Sequence, residues 1–172
     1  MAGFAANSSR LKQAALGGAA IWLAMVPGEA WASCVISFGT GTVAAPDQDS
    51  VVRCTGLQNG LSSASANDGT TLVIDDLAEV NGAPGDSIVY SGTGSQAQIY
   101  SGAVVRDLTI RVANAPGKFG AAMVMLSGSR LENDDAANQV EIVGPGALVN
   151  LREGSTVVTA SGLTFGGDQA NI

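Results

Sequence analysis

The stretch Val140-Glu141-Ile142-Val143-Gly144-Pro145-Gly146-Ala147-Leu148-Val149-Asn150-Leu151-Arg152-Glu153-Gly154-Ser155-Thr156-Val157-Val158 decides the fold. Val140-Glu141-Ile142 alternates apolar and polar residues, which sends one set of side chains inward and the other outward, as in a half-buried strand. Pro145-Gly146 then breaks the run, because proline presets φ and glycine supplies the positive φ of a turn. A second apolar segment, Ala147–Leu151, follows, and a third, Ser155–Thr159, comes after Gly154. Three short strands separated by turns thus occupy little more than twenty residues.

Working outward, the same pattern runs from Ser33 to the end. Segments rich in Val, Ile, Leu and Thr occur at 35–38, 51–55, 71–74, 87–90, 98–100, 104–112, 121–126, 139–143, 147–151, 155–159 and 163–165. Turn signals separate them, among them Asn59-Gly60, Asp68-Gly69, Asn81-Gly82, Pro84-Gly85 and Pro116-Gly117. No stretch after Val26 carries a capped 3.6-residue apolar stripe. The segments 64–67 and 135–138 have room for single helical turns at most. Many short strands permit a sandwich, a barrel or a parallel β-solenoid. Small and branched inward residues, few aromatics and loosely similar segments favour an all-β, right-handed parallel β-helix, with a β-sandwich as the alternative. At about 20 residues per coil, the part after the leader allows roughly six or seven turns.

Composition narrows the function classes. The 172 residues carry a formal charge of −7, 46% hydrophobic residues, 13% charged residues and no histidine. One domain fits that length. Without histidine there is no Ser-His-Asp triad, Cys-His pair or His-ligated metal in this chain. The acidic balance argues against a nucleic-acid partner, which requires a basic footprint.

Residues 1–32 read as a signal peptide. Arg10 and Lys12 form a positive start, 14–26 is an unbroken apolar run, Pro27-Gly28 ends it, and Ala30-Trp31-Ala32 supplies a small-residue cleavage site. The run is too short to span a bilayer, which takes about 20 residues. The mature chain then spans 33–172 and starts at Ser33. Because Glu29, Arg10 and Lys12 leave with the leader, it keeps fourteen acidic and six basic residues, with Lys118 as its one lysine. Cys34 and Cys54 are the only cysteines. An even pair in an exported chain reads as a disulfide. The competing reading is lipidation of Cys34, because Trp31-Ala32-Ser33-Cys34 has a faint lipobox pattern.

The run 140–158 resembles coils of bacterial autotransporter passenger domains, in which Gly-x-Gly followed by alternating apolar residues and a Gly-Ser-x-Val step recurs. The resemblance extends in style over 69–165. It implies an exported β-helical passenger-like domain, with the chain either an N-terminal, C-terminally truncated part of a larger autotransporter or a free-standing relative. The family's outer-membrane β-barrel is not in this chain. The implied role is an adhesion or structural scaffold at the cell surface, outer membrane or outside the cell, facing a ligand on a host or neighbouring cell. The alternative is a β-helical enzyme acting on polysaccharide.

Candidate chemistry is thin. Gly39-x-Gly41-x-x-Ala44 and Gly92-x-Gly94-x-x-Ala97 lack the helix and the distant acid of a dinucleotide fingerprint, so both read as turns. Asp47 with Asp49, Asp75-Asp76, and Asn133-Asp134-Asp135 with Asn138 offer oxygen ligands of the kind Ca²⁺ takes, but read first as solvated turn carboxylates. Arg106-Asp107 and Arg111 flank one apolar run, with Asp107 and Arg111 expected on one outward face as a surface ion pair. No catalytic, cofactor or metal residue is assigned, and a non-enzymatic role is the expectation.

Overall fold

A computed structural model describes residues 33–167. The expected signal peptide therefore lies outside the described residues. The chain opens with β1 (Ser33–Phe38) and then winds through five three-stranded rungs. These are β2 (Val51–Thr55), β3 (Leu57–Asn59) and β4 (Ser63–Ser65); β5 (Thr71–Ile74), β6 (Glu79–Asn81) and β7 (Ser87–Tyr90); β8 (Gln96–Ile99), β9 (Val104–Arg106) and β10 (Thr109–Ala113); β11 (Ala122–Met125), β12 (Arg130–Asn133) and β13 (Val140–Val143); and β14 (Leu148–Leu151), β15 (Thr156–Thr159) and β16 (Leu163–Gly166). The first strands of the rungs pair in parallel to form one face, the second strands another and the third strands the last. The molecule is a parallel β-solenoid, and no helix occurs among the described residues.

Register explains why this sequence can coil. Val52, Leu72, Ala97, Met123 and Val149 are aligned rung on rung, all buried, with Cys54, Ile74, Ile99 and Met125 in a second buried column on the same face. The second face sends in Val80, Val105, Leu131 and Val157, one residue per strand. The third stacks Ile88, Ile110 and Val140 beside Tyr90, Val112 and Ile142. A one-residue slip would turn any of these columns out to solvent, so the apolar pattern fixes the pairing.

The corner between the first and second faces is constant. From the second rung onward it holds four residues: Asp75-Asp76-Leu77-Ala78, Tyr100-Ser101-Gly102-Ala103, Leu126-Ser127-Gly128-Ser129 and Arg152-Glu153-Gly154-Ser155. The third residue has positive φ in every case, 58° at Leu77 and 69–72° at the three glycines. The fourth donates its N–H to the first carbonyl at 3.0–3.1 Å, closing the turn. In the first three of these corners the third residue donates to the next rung, as in Gly102 N–H to Ser127 O at 3.2 Å. Leu77 meets this need without being glycine, at a strain of roughly 1–2 kcal/mol.

Three expectations need correction. The coils are longer and fewer than six or seven of about 20 residues. Val51 pairs with Thr71, Thr71 with Gln96, Gln96 with Ala122 and Ala122 with Leu148, so successive steps are 20, 25, 26 and 26 residues. The corners, not the strands, consume the extra length. Residues 104–112 are also not one strand, because Asp107 (φ 50°) turns the chain between β9 and β10. Nor does 64–67 form a helical turn, since Ala64 and Ser65 lie in β4.

The N-terminal end is covered. β1 runs antiparallel on β2, with Cys34 opposite Cys54 and disulfide-bonded to it. That bond occupies the Cys34 sulfur that lipidation would need. The loop after β1 lies over β4: Ala64 N–H donates to Ala44 O at 2.9 Å, and Ser65 Oγ donates to Pro46 O at 2.8 Å.

Candidate functional site

The corner between the second and third faces varies in length, with three, five, two, six and three residues in successive rungs. Its two long loops, 82–86 and 134–139, flank the short bend at Asp107-Leu108. Between them lies a groove of about 510 Å³ lined by Gly82, Pro84, Gly85, Asp107, Asp134, Asp135 and Asn138. A second hollow of about 370 Å³ shares Asp107 and Asp134 and continues onto the second face past Arg106, Arg130, Glu132 and Val158.

Each wall has a structural cause. Asn133 is fully buried, and its side chain grips the backbone of Leu108 from both sides. Its Oδ1 accepts the Leu108 N–H at 3.0 Å, and its Nδ2 donates to Leu108 O at 3.0 Å. This locks the two-residue bend and aims Asp107 outward, where its carboxylate accepts the Asp134 N–H at 3.2 Å. Asp86 plays the matching role in the upper loop. It accepts N–H groups of Ala83 at 2.8 Å and Leu61 at 2.9 Å, and the Ser62 hydroxyl at 3.0 Å. The Ala83 N–H is the largest cause of an Asp86 pKa below the ordinary carboxyl value, ahead of the opposing effect of burial.

Outward positions of the second face carry a ladder of charge. The register aligns Asn81, Arg106 and Glu132. Arg106 pairs with Glu79 on one side and with Glu132 on the other at 3.2 Å, and Arg130 also pairs with Glu132. The pairs are part-exposed, so each contributes at most about 1 kcal/mol to stability. Their effect is to hold the Arg106 and Arg130 guanidinium groups and the Glu132 carboxylate together along the second hollow. The combined surface can offer hydrogen bonds to a polar, hydroxyl-rich chain laid along the corner.

The sequence-derived candidates separate. Arg106 ends β9 on the second face, Arg111 lies in β10 on the third, and Asp107 sits at the corner between them. They share no face, and Arg111 pairs instead with Glu141 of the next rung at 2.6 Å. Asp47 accepts the Thr40 hydroxyl, Asp75 holds Arg53 through two bonds of 2.8 and 2.9 Å, and Asp76 accepts the Ser101 N–H. Asp49 adopts φ 55° in the loop before β2, and Asp135 accepts the Ala137 N–H. No group of three or more Asp, Glu or Cys arranged to hold a metal occurs among the described residues. Gly39 and Gly41, and Gly92 and Gly94, lie in turns between strands.

Sequence reasoning missed Glu79, Arg130 and Glu132. They lie in β6 and β12, whose single inward apolar residue gives little periodicity to read. The available signal was the vertical one: opposite charges recurring about one rung apart. Comparison with protein-family models, curated proteins and solved structures returned no match.

Proposed function

We propose that this protein is exported and works outside the cytoplasm as an elongated β-solenoid scaffold for adhesion or contact at the cell surface, akin to an autotransporter passenger segment. The observation that carries this reading is the five-rung coil closed at its N-terminal end by the Cys34–Cys54 disulfide. Disulfides persist in oxidising compartments, and a solenoid presents a long flank per residue, with its charged ladder and groove along one corner. The ligand class that suits this flank is a polar glycan on a host or neighbouring cell.

Two measurements test the proposal together. Fractionation of cells producing the tagged chain should place it at the surface or in the medium, cleaved before Ser33. Incubation with acidic and neutral polysaccharides should give binding without chain scission. Retention of the uncleaved chain in the cytoplasm would overturn the export reading. A second reading, a β-helical enzyme acting on polysaccharide, draws on the acid-lined groove beside Arg106 and Arg130, and glycan cleavage abolished by Asp107→Asn would establish it instead.

A further inference from the structure

Asn59-Gly60 and Asn81-Gly82 are the only Asn-Gly pairs in the chain, and the coil sets one directly on the other. Asparagine is chemically labile, and most so before glycine, whose nitrogen no side chain shields. The glycine nitrogen gives up its proton and attacks the asparagine Cγ. A C–N bond forms to close a cyclic imide, the Cγ–Nδ2 bond breaks, and Nδ2 leaves as ammonia carrying that proton. Water then adds across one of the two imide C–N bonds, its hydrogen going to the nitrogen and its hydroxyl to the carbonyl carbon. The product is aspartate or isoaspartate, and no other reactant is consumed.

Both attacking nitrogens are held in the ladder between rungs. Gly60 N–H donates to Asn81 O at 2.9 Å, and Gly82 N–H donates to Arg106 O at 2.8 Å. A nitrogen bonded in this way keeps its proton, so reaction requires local opening, and the two sites differ in what must open. Asn81 lies in β6, which pairs with β3 on one side and β9 on the other and buries Val80 completely. Its side-chain amide is held as well: Nδ2 donates to Asn59 Oδ1 at 3.4 Å and Glu79 Oε1 at 3.3 Å, and Oδ1 accepts from Arg106 at 3.5 Å. Asp107 O stands 2.1 Å from the place a Cβ on Gly82 would take, so the backbone there is tightly packed. β3, by contrast, contributes no residue to the buried core. Its turn is tied by the Gly60 N–H and by the Gln58 side chain, which donates to Asn59 O at 3.2 Å and Gly60 O at 2.7 Å.

We infer that Asn59-Gly60 is a site of spontaneous deamidation gated by the parting of β3 from β6, and that the ladder suppresses the same chemistry at Asn81-Gly82. Conversion puts a carboxylate at the head of the outward column Asn59, Asn81, Arg106 and Glu132. Isoaspartate also routes the main chain through the former side-chain carbon, which takes Gly60 N–H out of register with Asn81 O.

The test is peptide mass spectrometry on the chain purified with its disulfide intact, held at neutral pH and sampled over weeks beside a sample unfolded in guanidinium. Enzymatic methylation reads the isoaspartate fraction. In denaturant the two pairs should convert at similar rates. In the folded chain Asn59 should react about tenfold more slowly or less, and Asn81 about tenfold more slowly again. Gln58→Ala removes both side-chain ties and should speed Asn59 about threefold while leaving Asn81 where it was. Asn59 reacting as fast folded as unfolded would overturn the gate, as would an Asn59 rate that Gln58→Ala leaves unchanged. Asn81 keeping pace with Asn59 in the folded chain, whether both react or neither does, would overturn the assignment of the site.

Discussion

Replacing Asn133 tests whether the groove is built by hydrogen bonding or by a bound cation. Its side chain is the partner of both the N–H and the C=O of Leu108, and the residue has no solvent exposure. Asn133→Ala orphans both backbone groups, each at about 1–3 kcal/mol. Some water will enter the vacated space, so the expected loss is about 2–4 kcal/mol, a large share of the 5–15 kcal/mol that holds a typical domain. Urea denaturation followed by circular dichroism should show a lower midpoint with an unchanged slope. Asn133→Asp sharpens the test. Ionised, it keeps the acceptor for Leu108 N–H but has nothing to donate to Leu108 O. Its deficit relative to wild type should shrink as pH falls and the carboxyl regains a proton to donate. A loss under about 1 kcal/mol for Asn133→Ala would refute the clamp. A wild-type stability that rises with added Ca²⁺, and stops doing so in the variant, would refute it in favour of a metal ligand.

Asp86 has a lowered folded pKa, so its contribution is present above its unfolded value of 3.8 and is lost as pH falls through the lower folded value. Asp86→Asn should therefore flatten the acid limb of the stability profile, read by urea midpoints between neutral pH and strong acid. Reduction of Cys34–Cys54 opens a loop of 20 residues and should cost about 3 kcal/mol on the chain-entropy model. Limited proteolysis after reduction should cut first between β1 and β2. Leu77→Gly relieves the one non-glycine in its corner column, and a net gain of about 0.5–1 kcal/mol should appear as a higher thermal midpoint. Ser95 Oγ is buried with no hydrogen-bond partner among the described residues, in a column that continues as Ala121 and Ala147. Ser95→Ala should stabilise by about 1 kcal/mol, and destabilisation would show that the hydroxyl has a partner.

How much of this was legible differs by face. On the first face every strand carries two inward apolar residues, and alternation marks segments such as Thr71–Ile74 and Ala147–Leu151 without help from the structure. β3, β6 and β12 went unread because Leu57-Gln58-Asn59, Glu79-Val80-Asn81 and Arg130-Leu131-Glu132-Asn133 each bury at most one apolar side chain. β4 went unread for another reason: Ser63 and Ser65 occupy inward positions that later rungs fill with Ile, Val and Tyr. Their hydroxyls are absorbed locally, Ser63 by the Tyr90 hydroxyl at 2.9 Å and Ser65 by Pro46 O. Burial raises the Tyr90 pKa to about 12, partly offset by that Ser63 contact. The coil length was hidden because the first step is 20 residues and the later ones 25 or 26, so no single period spans the chain. The groove was beyond reach for the same reason. It is assembled from loops one rung apart, and only the true step brings Asp107 beside Asp134.

The two corners of the second face also divide the molecule's freedom to change. From the second rung onward one corner is held at four residues by its left-handed turn, and the turns at Leu77, Gly102 and Gly128 each hand an N–H to the next rung, so an added residue would break the column on either side of it. The other already tolerates anything from two to six residues while the columns on either side stay aligned. Lengthening a loop that is already open adds only about 0.6 kcal/mol per doubling. Peptides grafted between Gly82 and Asp86, or between Asp134 and Gln139, would therefore stand side by side about one strand spacing apart per rung, roughly 4.8 Å. The solenoid is in that sense a ruler, with one edge fixed and graduated and the other free to carry whatever recognition the surroundings demand.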